Sequence, residues 1–200
     1  MKESPILSFL GLSLLAFALA APLQAKDGDE TPNQSEKTTK QTDKKAKNEA
    51  GGLVAEAIKD LEQDLFNAEV NPEARHFIYL YSASWCGPCC AEMPKIVKAY
   101  PELRMLGVEV LLIGQDKTVE DAKKYLKNFK APFPGLHSSA FKKGKLPGMR
   151  GVPGFPWAIL VDADGNELMH DLAKKVFAEW KNKIEVDPKL LKKAERERQG

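Results

Sequence analysis

The sequence predicts an α/β domain with a mixed central sheet flanked by helices and an extra helix in front. Three observations carry that reading. Residues 77–83 (Phe-Ile-Tyr-Leu-Tyr-Ser-Ala) and 108–113 are nearly unbroken apolar runs rich in β-formers, as expected of strands covered on both faces. Between them Met93, Ile96, Val97 and Tyr100 recur at helical spacing. A third run, residues 157–161, is followed by Asp162-Ala163-Asp164-Gly165-Asn166 and a short return over residues 167–170, the pattern of an antiparallel hairpin.

The elements follow in order. Leu53, Val54, Ala57, Ile58, Leu61 and Leu65 form one apolar stripe, which predicts an amphipathic helix ending before Asn71-Pro72. The first strand then leads to a helix that begins at the cysteines, and the second strand follows. Thr118 with Asp121 three residues on is a capping box, and Val119, Ala122, Tyr125, Leu126 and Phe129 form the buried stripe behind it. Residues 131–156 are rich in proline and glycine and are expected to be irregular. After the hairpin, Leu172, Val176, Phe177, Trp180 and Ile184 predict a helix facing the sheet, and Asp187-Pro188 opens a charged terminal helix. The order is β-α-β-α-β-β-α.

The segments ahead of this domain have a different character. Lys2 precedes an apolar run from Ile6 to Ala21, interrupted only by Ser8, Gly11 and Ser13, and Pro22-Leu23-Gln24-Ala25 follows. Residues 1–25 therefore read as a secretory signal peptide cut after Ala25, with Ala20 as the second choice. The run is shorter than the roughly 20 residues that span a bilayer, so a retained anchor is not expected. Residues 26–52 hold almost no large apolar side chain and read as a disordered polar tether; the basic run Lys44-Lys45-Ala46-Lys47 belongs to that solvated linker. The remaining divisions are the amphipathic helix at 53–70, the main domain at 71–186 and the charged helical tail at 187–200.

Composition excludes several function classes. The chain has 200 residues and is 43% hydrophobic, enough to bury one core. Its formal net charge is only +2, so no large basic field favours nucleic acid. All three cysteines, Cys86, Cys89 and Cys90, lie within five residues, which excludes a disulfide scaffold closing long loops. No GxGxxG fingerprint is present, so no nicotinamide is expected, and no cofactor is called for.

The chemistry is concentrated at Trp85-Cys86-Gly87-Pro88-Cys89. Two cysteines two residues apart at a strand-to-helix junction place both sulfurs on the first helical turn, close enough to bridge reversibly. At the helix N-terminus the unpaired N–H groups and the macrodipole favour the Cys86 thiolate, which is the attacking species. Cys89, one turn further in, would attack the resulting mixed disulfide and release the reduced partner. The competing reading is half of a zinc site. Zinc normally takes four ligands, and neither Cys90 nor His76, His137 and His170 stand at ligand spacing, so no metal is expected.

The motif Trp85-Cys86-Gly87-Pro88-Cys89 is identical to the active-site motif of thioredoxin. The longer stretch from Ala83 to Pro94, with Glu92 and Pro94 in place, resembles the exported thioredoxin-like reductases of the TlpA and ResA kind. The resemblance covers residues 77–171 and implies a thioredoxin fold. It also implies a cis-proline in front of the last hairpin, offering backbone to a substrate. Pro153 and Pro156 compete for that role, and Pro156 is preferred because it directly precedes the strand at Trp157. Phe155 and Trp85 would then line the substrate groove, with Gly87 and Pro88 forming the active-site turn. Glu92, at the place of the family's acid, would exchange protons with Cys89. An interior proline must kink a helix, as Pro94 would here.

The chain departs from the family pattern at two places. Thioredoxins carry a buried Asp six residues ahead of the first Cys, where this chain has Leu80. The residue before the cis-proline is usually Ile, Val or Thr, where this chain has the bulkier Phe155. Cys90 is the odd thiol, expected as a small packed hydrophobe with an alternative resolving role. Lys142, Lys143 and Lys145 are expected as a solvated loop.

The function this implies is an exported, monomeric thiol-disulfide oxidoreductase. It would reduce disulfides of other exported proteins, in the family including those of cytochrome c maturation, in a periplasm or after secretion, with electrons from a membrane donor. A disulfide oxidase or isomerase uses the same sulfurs, and a redox-inactive binding module is the reading from another class. Peroxidase chemistry fits less well, because the cysteines form a CxxC rather than a lone peroxide-reactive thiol with a distant partner.

Overall fold

A computed structural model describes residues 52–142 and 145–199. The signal-peptide reading, the tether over 26–51 and Lys143 lie outside the described residues. Two strands are buried along their whole length, β1 (His76–Ser82) and β2 (Val108–Gly114), and they pair in parallel. That burial is what their nearly continuous apolar sequence requires. β3 (Gly135–His137) adds in parallel to β2, while β4 (Trp157–Asp162) and β5 (Glu167–Leu172) add antiparallel on the other side, giving the order β3-β2-β1-β4-β5. This is the mixed five-stranded sheet of the thioredoxin fold.

Side chains alternate across the sheet and build two cores. Ile78, Leu80, Val110, Leu112, Ala158 and Leu160 pack against α2 (Gly87–Met105), α3 (Val119–Asn128) and α4 (Ala173–Glu179). Phe77, Tyr79, Leu111, Ile113, Ile159 and Val161 face the opposite way, onto α1 (Leu53–Asp60) and the segment after β3. That segment is anchored by phenols of β1. Tyr79 donates to the Pro147 carbonyl at 2.8 Å and Tyr81 to the Arg150 carbonyl at 2.9 Å. α5 (Pro188–Gln199) closes the chain, with Ala194 buried.

The structure departs from the sequence expectations in three places. The first helix stops at Asp60 instead of running through Leu65; a short 3-10 turn, Glu62–Asp64, follows, and the chain then turns extended so that Phe66 can bridge Gly135. A Cβ on Gly135 would stand 2.5 Å from the Phe66 ring, which is why glycine occupies that position. β3 lies inside the stretch expected to be irregular, where three residues give no readable alternation. The helix after the hairpin ends at Glu179 and continues as a 3-10 turn, so Ile184 lies beyond it.

Two local readings are realised in detail. Thr118 Oγ1 caps α3 by accepting from the Asp121 N–H at 3.1 Å, and its hydroxyl donates to Asp121 Oδ2 at 2.7 Å. In the hairpin turn, Asp162 Oδ1 accepts from the N–H groups of Asp164 and Asn166, and Gly165 takes φ of +83°.

Candidate active site

β1 and β2 run in parallel, so their C-terminal ends deliver the two following loops to the same end of the sheet. The first loop, Ala83-Ser84-Trp85, leads into α2. Its last residue before the helix is Cys86, the N-cap, whose Sγ accepts from the Cys89 N–H at 3.3 Å. Gly87 and Pro88 form the first turn, where a proline costs nothing because the N–H it lacks has no partner inside the helix. Cys86 and Cys89 are joined in a disulfide with Cα atoms 5.2 Å apart. Cys86 is 7% exposed and Cys89 only 1%, so the first sulfur is the one nearer solvent.

The loop is held from several sides. The Cys86 N–H donates to the Ala83 carbonyl at 3.3 Å and the Cys90 N–H to the Cys86 carbonyl at 3.0 Å. The Trp85 indole N–H donates to the Gln115 carbonyl at 3.1 Å, although the residue is 61% exposed. Ser84 donates from both its N–H and its hydroxyl to Asp116 Oδ1, at 3.0 and 2.5 Å.

The second wall comes from the β4 side. Tyr81 of β1 lies opposite Trp157 of β4, so the residues just before β4 sit beside the loop that follows β1. There the Phe155–Pro156 peptide is cis, and Pro156 rather than Pro153 is the cis-proline. Its carbonyl accepts from the Ala173 N–H at 3.1 Å, which ties the turn to α4. The Phe155 ring meets Trp85 edge to face. The Trp85–Phe155 contact therefore sets the loop of Trp85 and Cys86 beside the turn of Phe155 and Pro156, with Cys89 and Pro156 buried behind it.

Glu92 stands on the same helix one turn beyond Cys89, and its carboxylate pairs with Lys95 Nζ at 2.9 Å. Leu80 is fully buried in the core cluster that also holds Cys89, an apolar contact where thioredoxins place a carboxylate. Cys90 is a free, half-buried thiol whose S–H donates to the Ser84 carbonyl at 3.3 Å. The three histidines have separate neighbours: His76 is buried at the start of β1, His170 pairs with Glu167, and His137 reaches the Asp116 carbonyl. Lys145 is exposed on the loop after β3.

Sequence reasoning missed Ser84, Gln115 and Asp116. A signal for them existed: a polar Gln115-Asp116 pair directly follows an apolar strand, beside the strand that delivers the cysteines. Asp116 is 6% exposed, and its Oδ2 has no hydrogen-bond partner among the described residues. Nearby, the Tyr125 hydroxyl shares a 2.9 Å hydrogen bond with Ser82 Oγ, and burial pushes this phenol up to about 12.

The family model described as the AhpC/TSA family matches residues 55–166, more than half of the chain. The chain belongs to the AhpC/TSA family. It is similar to the thiol-disulfide oxidoreductase ResA of Bacillus thuringiensis subsp. konkukian, 31% identical over 104 residues that cover 50% of this chain and 58% of the relative. The ResA of Bacillus anthracis is 35% identical over 83 residues, covering 41% and 46%. The chain thus spans about half the length of the curated relatives it matches. Among solved structures it is similar to a thiol:disulfide interchange protein from Bacteroides sp., with a TM-score of 0.46, 20% identity and coverage of 55% and 73%. StoA from Bacillus subtilis gives a TM-score of 0.43, 19% identity and coverage of 53% and 82%. The ResA-type resemblance carried by the residues around the CxxC motif and the family match agree.

Proposed function

We propose that this AhpC/TSA-family chain is an exported thiol-disulfide oxidoreductase that reduces disulfides in other exported proteins. The observation that carries the reading is the Cys86–Cys89 disulfide at the N-terminus of α2, beside the cis Phe155–Pro156 peptide. The similarity to ResA proteins supports it.

In the reduced chain the Cys86 thiolate, stabilised by the amide end of α2, attacks one sulfur of a substrate disulfide. A Cys86–substrate disulfide forms and the other substrate sulfur leaves as a thiolate, which takes up a proton. Cys89 then loses its proton and attacks Cys86 Sγ. The Cys86–Cys89 disulfide forms and the second substrate thiolate departs, so two electrons have passed to the substrate. Glu92, one turn from Cys89, serves as the proton acceptor for the resolving thiol, and Trp85, Phe155 and Pro156 form the groove that receives the substrate. Electrons return from a membrane donor. Reduction of a disulfide between haem-attachment cysteines in cytochrome c maturation, which leaves both as thiols, is one use that fits this chemistry.

The test is dithiothreitol-driven reduction of insulin, together with trapping. Cys86→Ser abolishes turnover, while Cys89→Ser accumulates mixed disulfides through Cys86. A Cys89→Ser chain that traps nothing, with wild type inactive, supports the binding-module reading instead.

A further inference from the structure

We infer that Asp116 is the positioning residue for the nucleophilic cysteine, holding the loop that makes Cys86 the N-cap of α2. The inference rests on the proposed thiol chemistry and names a residue that the CxxC motif does not contain.

One carboxylate oxygen, Asp116 Oδ1, accepts from both the N–H and the hydroxyl of Ser84, at 3.0 and 2.5 Å. The adjoining Gln115 carbonyl accepts the Trp85 indole N–H, and the Gln115 N–H donates to the Ser82 carbonyl at 2.9 Å. Residues 115 and 116 therefore grip three of the four residues from Ser82 to Trp85 immediately before Cys86.

The clamp is itself braced. His137 Nε2 is 2.9 Å from the Asp116 carbonyl, and a carbonyl only accepts, so the proton sits on Nε2. Nδ1 is then the acceptor for the Ser139 N–H at 3.2 Å and the Ser139 hydroxyl at 2.8 Å. The brace links the site to β3, the strand on the far edge of the parallel half of the sheet.

The consequence for chemistry lies in the next residue. The Cys86 sulfur meets the Cys89 N–H only while the Cys86 backbone keeps its extended N-cap conformation, φ −90° and ψ 104°. Releasing Ser84 loosens that conformation and withdraws the amide from the thiolate. A bare negative charge near Cys86 would act in the opposite sense, since a like charge disfavours the thiolate. The sign of the effect thus separates positioning from charge.

The experiment is iodoacetamide alkylation of Cys86 in the reduced full-length chain, followed by mass spectrometry across a pH series. Asp116→Ala is expected to slow alkylation near neutral pH about fivefold, by raising the apparent pKa of Cys86. Asp116→Asn, which keeps an acceptor for Ser84, retains the wild-type rate, and Ser84→Ala, which removes one of the two donors, falls between. Alkylation that is unchanged or faster in folded Asp116→Ala, or Asp116→Asn as slow as Asp116→Ala, overturns the inference. Should Asp116→Ala fail to fold, the pair Ser84→Ala and Asp116→Asn decides it, slower for the first and unchanged for the second. Alkylation needs no protein substrate, so a wild type that fails to reduce insulin defeats the functional reading without touching this comparison.

Discussion

The Trp85 and Phe155 rings meet edge to face, with centroids 6.0 Å apart and planes at 78°. This contact joins the loop that carries Cys86 to the turn that carries the cis-proline. Trp85 remains 61% exposed while the Gln115 carbonyl fixes its orientation, so in the proposed function the pair would offer apolar surface to a substrate. An aromatic pair of this geometry is worth about 1 kcal/mol beyond its buried area. Phe155→Ala is therefore expected to raise KM for a peptide disulfide while kcat holds, with a stability loss of that order. Steady-state kinetics on a defined peptide checks it; an unchanged KM would remove Phe155 from the groove.

Glu109 makes a second, purely structural network at the other end of β2. Its fully buried carboxylate accepts from the Asn71 N–H at 2.6 Å, the Tyr100 hydroxyl at 2.8 Å and the Val110 N–H at 2.9 Å, with Arg104 Nη1 at 3.5 Å. Burial pushes the carboxyl up, and these donors oppose that shift. Glu109→Gln turns an NH₂ toward a backbone N–H that can only donate, that of Asn71 on one side or Val110 on the other, at a cost of about 3 kcal/mol. Urea denaturation should show that loss, while exchange activity of the folded fraction stays at the wild-type level.

His76 gives a pH dependence. It is 5% exposed, and burial lowers its pKa, with the Asp162 charge opposing and Arg75 adding to the shift. The folded state thus holds the proton less tightly than the unfolded chain, whose imidazole titrates near about 6.5. The stabilising contribution is fully present above that pH and is lost as pH falls through the lowered folded value. Thermal melts of wild type and His76→Gln across this range should converge as the pH drops. Parallel curves would mean that His76 does not titrate differently on folding.

Much of this architecture was legible in the sequence. β1 and β2 announced themselves as apolar runs because both faces are covered, and Asp162 to Asn166 announced the hairpin because each residue has a turn role. The place of Pro156 directly before Trp157 favours it over Pro153, and the cis peptide lies there. β3 was not readable, since three residues held by Phe66 and β2 carry no periodic signal of their own. The Ser84–Asp116 clamp was equally hidden: its partners are 32 residues apart and meet only because β1 and β2 run in parallel. Leu61 to Leu65 continued the helical stripe in sequence, but Phe66 and its bridge to Gly135 draw the chain out of the helix.

Cys90 is expected to be dispensable for exchange. Its S–H donates to the Ser84 carbonyl, and a serine hydroxyl can make the same hydrogen bond. Cys90→Ser should retain the wild-type rate of insulin reduction and the wild-type potential. A large fall in rate would instead give Cys90 the resolving role weighed against simple packing.

Cys86 and Cys89 are proposed to form a reducing pair, and their equilibrium redox potential decides whether they do. Titration in dithiothreitol and glutathione buffers, read by Trp85 fluorescence and thiol alkylation, gives the value. A reducing pair is expected at about −270 mV or lower, in the range of thioredoxin. A potential around −120 mV would instead make the chain a disulfide donor and overturn the reductase reading.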